Sequence, residues 1–206
     1  MTKVKICGIT NLEDALAACD AGADALGFVL APEAKKRNRF IEFEAAAAII
    51  EHVPPFVSTV AVCVNEPLDR IAHYLTVFDY IQFHGEERPE DIPLPHIAIK
   101  AFRTGPDFRI EAMEPYRTRA WLLDAYAPQA RGGTGATCDW TLAQQAVATG
   151  SPIILAGGLN PDNVAEAVRT VHPWAVDTSG GVEGAPGKKD HDRIRSFIHH
   201  AKTPLA

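Results

Sequence analysis

Cysteine is scarce in this sequence, with only four in 206 residues. Cys7, Cys19, Cys63 and Cys138 are too far apart in the sequence for a CxxC redox pair or for the paired spacing of a zinc knuckle. The spacing therefore predicts free thiols rather than a metal or redox motif. Because free thiols persist in a reducing compartment, we expect a cytoplasmic protein.

Long apolar runs are also missing. No stretch approaches the roughly 20 apolar residues that a membrane-spanning helix needs. The first residues lead directly into a short apolar stretch and a turn, without the apolar core of a signal peptide. The sequence therefore predicts a soluble protein with no membrane partner.

Positive charge is in deficit. The chain has 20 Lys and Arg residues against 26 Asp and Glu residues, a net charge of −6, which repels a phosphate backbone. The basic residues that do cluster, Lys35, Lys36, Arg37 and Arg39, lie in one short segment. This arrangement disfavours a nucleic-acid partner and suits a small anionic ligand.

Strand-like and helix-like segments alternate along the chain. At roughly 100–200 residues per domain, the length favours a single domain covering residues 1–206. Such alternation is typical of a parallel α/β protein, either an open doubly wound sheet or a closed barrel. Eight consecutive units without an extra antiparallel strand favour a single (β/α)8 TIM barrel. The predicted strands are residues 4–6, 25–30, 57–64, 80–83, 97–102, 120–123, 152–156 and 174–176, and the predicted helices are residues 12–19, 42–52, 68–75, a short one after 80–83, 108–116, 140–147, 163–171 and 192–201.

Two groups with acid–base chemistry follow predicted strands. In a (β/α)8 barrel the chemistry lies on the loops after the carboxyl ends of the strands. Cys7 follows the first strand and Asp124 follows the sixth. A lone cysteine is typical of a small buried hydrophobe, and a lone aspartate often caps a strand, so neither residue alone establishes a catalytic site.

Glycine-rich segments follow the sixth, seventh and eighth strands, at residues 132–135, 156–159 and 179–181. Each one alone is compatible with ordinary turn chemistry. The last two together match the usual phosphate site of this fold, where backbone N–H groups approach an anion. A P-loop is excluded because Val182 stands five residues before Gly187 and no Ser or Thr follows Lys188.

Several segments together carry a family resemblance. In the same order along residues 3–190, the chain resembles phosphoribosylanthranilate isomerase, an enzyme family of tryptophan biosynthesis. The matching segments are KICGIT (5–10), GFV (27–29), VCVN (62–65), IQFHG (81–85), LLD (122–124), GGTG (132–135), AGGLNP (156–161) and VDTSGGVE (176–183).

The resemblance implies a specific reaction. It implies a (β/α)8 barrel that converts N-(5-phosphoribosyl)anthranilate to 1-(2-carboxyphenylamino)-1-deoxyribulose 5-phosphate by an Amadori rearrangement, with neither metal nor cofactor. The family's general base falls on Cys7 and its general acid on Asp124. Such a pair suits the chemistry, because one group protonates the ring oxygen while the other removes the proton from C2.

The resemblance also implies a set of substrate-binding residues. We expect the 5-phosphate at Gly157, Gly158, Ser179 and Gly180, with the loop that contains Gly133 acting as a cover over the sugar. Two departures concern this set: Ala136 stands where the family usually has Lys, and Gly180 where it has a second Ser. Phosphate binding on backbone donors should survive both.

The basic segment departs most from the family pattern. The family usually places there an arginine that meets the anthranilate carboxylate. Alignment through Phe40 and Ile41 selects Arg39, whereas alignment through Lys36 selects Arg37. We prefer Arg39, which preserves the register into the next helix, and expect Arg37 to belong to a solvated face.

For the remaining residues a structural role is the simpler interpretation. We expect Gln82 and His84 to pack or hydrogen-bond at the end of the fourth strand, and Asp177 to be structural. Alternative functions are an epimerase or a thiamine-phosphate-synthase-like activity on another phosphosugar or phosphorylated heterocycle, and a non-catalytic anion sensor. The first two would need metal ligands or a diphosphate site, and the sensor would not need both Cys7 and Asp124. The length is compatible with a monomer or a homodimer.

Overall fold

Eight parallel strands form a closed barrel in the described part of the chain. The structure is a computed structural model that describes residues 1–125 and 139–203. The strands are β1 Lys3–Cys7, β2 Ala25–Val29, β3 Ser58–Cys63, β4 Tyr80–Phe83, β5 Ala98–Thr104, β6 Ala120–Ala125, β7 Ile153–Leu155 and β8 Ala175–Thr178. They are hydrogen-bonded in chain order, and β1 pairs with both β2 and β8, which closes the ring. The predicted (β/α)8 barrel is thus confirmed, and an open doubly wound sheet is excluded.

Helices connect most of the strands. The α-helices among the described residues are α1 Leu12–Asp20, α2 Phe43–Ile50, α3 Leu68–Tyr74, α4 Trp140–Ala148, α5 Val164–Val171 and α6 His191–Lys202. A small antiparallel pair, β9 Glu183–Ala185 and β10 Lys188–Lys189, lies between β8 and α6. None of the described helices has the length and apolar character required to span a membrane.

The prediction of a helix at residues 108–116 is wrong. Only a short 3-10 turn, Ile110–Met113, forms there, and short 3-10 turns also replace a helix after β4. Pro106 and Pro115 bracket the segment, and each proline disfavours helical backbone at the residue before it. The segment between the prolines therefore forms only one turn, and this turn buries Met113 completely.

Side-chain alternation along each strand creates two apolar layers. On β6, Ala120 and Leu122 join a cluster inside the barrel, whereas Trp121 and Leu123 join the larger cluster between the strands and the helices. By the same alternation the next side chain, Asp124, faces the barrel interior at the carboxyl end of the strand. The apolar interior of the barrel therefore ends below a polar upper layer.

Asp14 connects the first helix of the chain to β10 and α6 near the C-terminus. This buried carboxylate on α1 accepts a 3.0 Å hydrogen bond from the Lys189 backbone N–H and lies 2.8 Å from Nε2 of His191. Burial alone would raise the pKa of Asp14, but these hydrogen bonds and that of Asn11 lower it below its ordinary value. Asp14 in its charged form therefore stabilises the junction between α1, β10 and α6.

We expect Asp14→Ala to lower the free energy of unfolding by about 2–3 kcal/mol, because it leaves buried donors without an acceptor. Since the folded-state pKa of Asp14 is depressed, its contribution is present above the ordinary carboxyl pKa and lost as the pH falls through the lowered value. The difference from the parent chain in urea unfolding should therefore shrink on acidification. Asp20→Ala, at an exposed position of the same helix, is the control and should change stability little. An equal effect of both substitutions would contradict this role.

Candidate active site

The two candidate acid–base groups lie at the same end of the barrel. Cys7 is the last residue of β1, and Asp124 is the penultimate residue of β6. Both are buried, with 7% and 4% of their surface exposed. Because all the barrel strands are parallel, the closed ring brings the two residues to one rim although 117 positions separate them in sequence.

Cys7 lies beside a buried ion pair. Lys5 precedes it by two positions, so both side chains face the barrel interior. Lys5 Nζ donates a 2.8 Å hydrogen bond to Asp177 Oδ1 on β8. A Cβ at Gly27, on the neighbouring β2, would lie 2.7 Å from Cys7 Sγ and 2.9 Å from Lys5 Nζ, so only glycine leaves room for both groups.

Opposing effects act on the protonation of Cys7. Burial raises the pKa of the thiol, the Lys5 ammonium lowers it, Asp177 raises it and Lys189 lowers it, leaving it above the ordinary value. For Lys5, burial acts to lower the pKa, but Asp177 and Cys7 more than offset this, so that its pKa is raised. Lys5 therefore stays charged beside the thiol.

A second buried lysine supports the backbone around Cys7. Lys189 Nζ donates to the carbonyl oxygens of Cys7 and Ser179 at 2.7 and 3.1 Å, and to Glu183 Oε1 at 3.1 Å. Glu183 in turn accepts two 2.8 Å hydrogen bonds from Nε and Nη2 of Arg39. Burial acts to raise the pKa of Glu183, but Arg39 and Lys189 lower it below its ordinary value. This network fixes the loops after β1, β2 and β8 relative to one another.

Asp124 has a histidine partner at the rim. His84 Nε2 lies 3.4 Å from Asp124 Oδ2, and His84 Nδ1 lies 3.2 Å from Gln82 Nε2. Both Gln82 and His84 belong to the end of β4, where the sequence predicts hydrogen bonding. The contact of His84 with Asp124 was not predicted, because β5 separates β4 from β6 in the sheet and the curvature of the barrel brings the two side chains together at its rim.

The two candidate arginines lie in different surroundings. Arg39 is held against the loop after β8, since its Nη2 would lie only 2.8 Å from a Cβ at Gly180. Arg37 ends the 3-10 turn Pro32–Arg37 and is half-buried. Burial and the Arg39 guanidinium lower the pKa of Arg37, while Asp124 acts to raise it. Arg37 is therefore partly exposed, and the charge of Asp124 acts on it.

The two glycine-rich loops after β7 and β8 pack against each other through their backbones. Thr178 Oγ1 donates a 2.7 Å hydrogen bond to the Leu159 carbonyl, and a Cβ at Gly181 would lie only 1.9 Å from that oxygen. Gly157 has a φ of +83°, in the region that favours glycine. The backbone N–H groups of Gly157, Gly158, Ser179 and Gly180 donate to no acceptor within the described residues. Such N–H groups at adjacent loops suit an anion.

Some of the residues singled out from the sequence lie outside the described residues or away from this site. Gly133, and the rest of the 132–135 segment, lie outside the described residues, as do Cys138 and Ala136. Cys63 is buried in the apolar layer between strands and helices, and Cys19 packs against that layer. Across residues 1–125 and 139–203, no three His, Cys, Asp or Glu side chains are grouped so that they could hold a metal ion.

Sequence reasoning missed Lys5, Lys189 and Glu183 as parts of the site. Lys5 carries a signal that could have revealed it, because a residue two positions before Cys7 on a strand shares its face. Lys189 and Glu183 carry no such local signal. Their positions depend on the fold of the segment after β8 against β1.

Comparison with known proteins agrees with this arrangement. A family model described as N-(5'phosphoribosyl)anthranilate (PRA) isomerase matches residues 4–200. The N-(5'-phosphoribosyl)anthranilate isomerase of Pelobacter propionicus is 52% identical over 205 residues, which covers 98% of this chain and 96% of the relative. The crystal structure of phosphoribosyl anthranilate isomerase from Thermus thermophilus is 39% identical and superimposes with a TM-score of 0.85, covering 98% of this chain and 99% of the other.

A further solved isomerase contains a bound ligand. It is described as a complex with reduced 1-(o-carboxyphenylamino)-1-deoxyribulose 5-phosphate, is 40% identical, and superimposes with a TM-score of 0.79 over 98% of this chain and 99% of the other. The matches in sequence and in structure extend over nearly the whole length of both chains. The chain therefore belongs to the N-(5'-phosphoribosyl)anthranilate isomerase family.

Proposed function

We propose that this protein catalyses the Amadori rearrangement of N-(5'-phosphoribosyl)anthranilate to 1-(2-carboxyphenylamino)-1-deoxyribulose 5-phosphate in tryptophan biosynthesis. The observation that carries the proposal is a buried thiol and a buried carboxyl group at one rim of a barrel whose last two loops suit a phosphate. The family relationship adds independent support. We further propose that residues 1–206 act as one barrel domain, in the cytoplasm.

The acid step belongs to Asp124 in this proposal. Opening the furanose requires a proton on the ring oxygen as the C1–O bond breaks, and the electron pair of the anthranilate nitrogen then forms the C1=N bond. His84, 3.4 Å from Asp124, keeps that carboxyl group oriented toward the cavity. Asp124 therefore delivers the proton that opens the ring.

The base step belongs to Cys7. The C1=N bond acidifies the proton on C2, which the Cys7 thiolate removes to give an enolamine. Reprotonation at C1 and loss of the O2 proton then give the ketose, so substrate and product are isomers. Since no external reductant or oxidant enters this balance, two groups of unequal acidity are sufficient.

The binding groups are divided between two poles. We assign the 5-phosphate to the backbone N–H groups of Gly157, Gly158, Ser179 and Gly180, with Arg39 behind them. Arg39 is already bound to Glu183 through two nitrogens, whereas the Asp124 carboxylate acts electrostatically on Arg37. We therefore assign the carboxylate to Arg37, in place of the preference for Arg39 drawn from the alignment.

The activity itself is tested by adding freshly made phosphoribosylanthranilate to the folded protein and following the loss of its fluorescence. We expect a first-order loss proportional to protein concentration. Absence of any change with folded protein would refute the proposed function.

The acid–base assignment predicts a loss of turnover rather than of affinity. Cys7→Ala and Asp124→Asn should each lower kcat at least ~100-fold with KM within a few-fold, because each group moves a separate proton. Cys63→Ala is the matched control, since this buried thiol also ends a barrel strand but faces the outer apolar layer. Full activity of Cys7→Ala would exclude it as the base.

The phosphate assignment predicts competition by inorganic phosphate. Gly181→Ala should raise both the KM and the inhibition constant of phosphate at least ~10-fold, because the new Cβ pushes the loops after β7 and β8 apart. Gly184→Ala is the control, since its Cβ would meet nothing closer than Asp190 Cβ at 3.7 Å. A crystal with sulfate bound only at residues 132–135 would contradict the assignment.

Substitutions of the two arginines should have different kinetic effects, because each arginine is assigned to a different group of the substrate. Arg37→Lys should raise KM at least about fivefold and leave phosphate inhibition unchanged, because an ammonium cannot form two parallel bonds to a carboxylate. Arg39→Lys loses the two-pronged contact with Glu183 and should weaken phosphate inhibition as well. If Arg39→Lys instead raises KM without affecting phosphate inhibition, the alignment through Phe40 and Ile41 is right.

A further inference from the structure

The base role of Cys7 leaves open how a buried thiol becomes a thiolate. Burial is the largest influence on this group and favours its neutral form. A thiolate at this position therefore needs a cation. Within residues 1–125 and 139–203, the charged groups that act on it come from three elements: Lys5 on β1, Asp177 on β8 and Lys189 on β10. The neighbouring β2 contributes only Gly27, which has no side chain.

Lys189 is the weaker candidate for that cation. Its ammonium group has three N–H donors. Four oxygens surround them: the Cys7 carbonyl at 2.7 Å, the Ser179 carbonyl at 3.1 Å, Glu183 Oε1 at 3.1 Å and, more distantly, Ser179 Oγ at 3.5 Å. Lys189 therefore holds the backbone of Cys7 and has no further N–H to offer its sulfur.

Lys5 is placed differently. Asp177 Oδ1 accepts one of its N–H groups at 2.8 Å, and the charge of the Lys5 ammonium group acts to lower the pKa of the Cys7 thiol. Lys5 Nζ and Cys7 Sγ approach the same point above Gly27, at 2.9 and 2.7 Å from where a Cβ would stand. The Lys5 side chain is 4% exposed, so water screens this contact little.

We propose that Lys5 is the positioning residue for Cys7: anchored by Asp177, its ammonium group stabilises the Cys7 thiolate that acts as the base. This proposal rests on the proposed function only in that it takes Cys7 to be the catalytic base. The contact between Lys5 and Cys7 and its effect on thiolate formation can be measured without substrate. Asp177, read from sequence as a purely structural residue, becomes the group that fixes the ammonium and at the same time opposes the thiolate.

The test is the pH dependence of Cys7 alkylation by iodoacetamide in the folded protein, followed by mass analysis of the peptide that contains Cys7. Lys5→Met should raise the midpoint by at least about one pH unit and slow alkylation at least ~10-fold at about pH 8. Asp177→Asn should act in the opposite direction, lowering the midpoint and accelerating alkylation several-fold, because it removes the negative charge that opposes the thiolate. A general loosening of the barrel would move both variants in the same direction.

Lys100→Met is the matched control. Lys100 is likewise a buried lysine on a barrel strand, 2.8 Å from the buried Glu87, and belongs to β5. In urea unfolding, Lys100→Met should lower the free energy of unfolding about as much as Lys5→Met does, while leaving the midpoint of Cys7 alkylation unchanged. If Lys5→Met does not fold, the single variant Asp177→Asn is compared with the double variant Lys5→Met/Asp177→Asn, in which neither member of the ion pair is left buried without its partner. The double variant must then have a higher alkylation midpoint than Asp177→Asn.

Turnover separates this proposal from the proposed function. With Lys5→Met we expect kcat to fall and the rise of kcat with pH to shift upward together with the alkylation midpoint, while KM stays within about threefold. An unchanged midpoint in Lys5→Met, with Cys7→Ala inactive, would overturn the role of Lys5 and leave the base role of Cys7 intact. An active Cys7→Ala with a shifted Lys5→Met midpoint would overturn the base role, and the stabilisation of the thiolate by Lys5 would stand.

Discussion

The pairing of β1 with β8 is the constraint on which the rest of the site depends. It closes the barrel and sets Lys5 opposite Asp177 in the parallel register. A shift of one residue would turn the Lys5 side chain toward the helices and leave a lysine and an aspartate buried without partners. The ion pair is therefore satisfied only in the register that also brings Cys7 to the rim.

Several buried polar contacts join the N-terminal elements to the C-terminal elements of the described chain. Asp14 joins α1 to β10 and α6, and Lys189 joins β10 to the loops after β1 and β8. Buried charges of this kind stabilise a protein only when each one is paired and hydrogen-bonded. The seam of the barrel consequently depends on specific partners, whereas the apolar layers elsewhere depend on volume and alternation.

The same seam carries the proposed chemistry. The proposed base is on β1 and the proposed phosphate loops follow β7 and β8, so the network that closes the barrel also sets the distance between these two parts of the site. The proposed acid, Asp124, lies away from the seam and has His84 as its neighbour. Base and acid thus reside in different electrostatic surroundings, as two groups with opposite proton-transfer tasks require.

The amino-acid sequence by itself determined the eight strands, most of the helices, and the positions of Cys7, Asp124 and the glycine-rich loops, because these depend on alternation, turn residues and segment order that are local. It failed at residues 108–116, where prolines outweigh apolar spacing, and it could not separate Arg37 from Arg39. Only the tertiary structure decided which groups surround Cys7 and Asp124. The partners Lys5–Asp177, Arg39–Glu183 and His84–Asp124 join different strands and loops. Closure of the ring between β1 and β8 brings the first two pairs together, and the curvature of the sheet around β5 brings the third together.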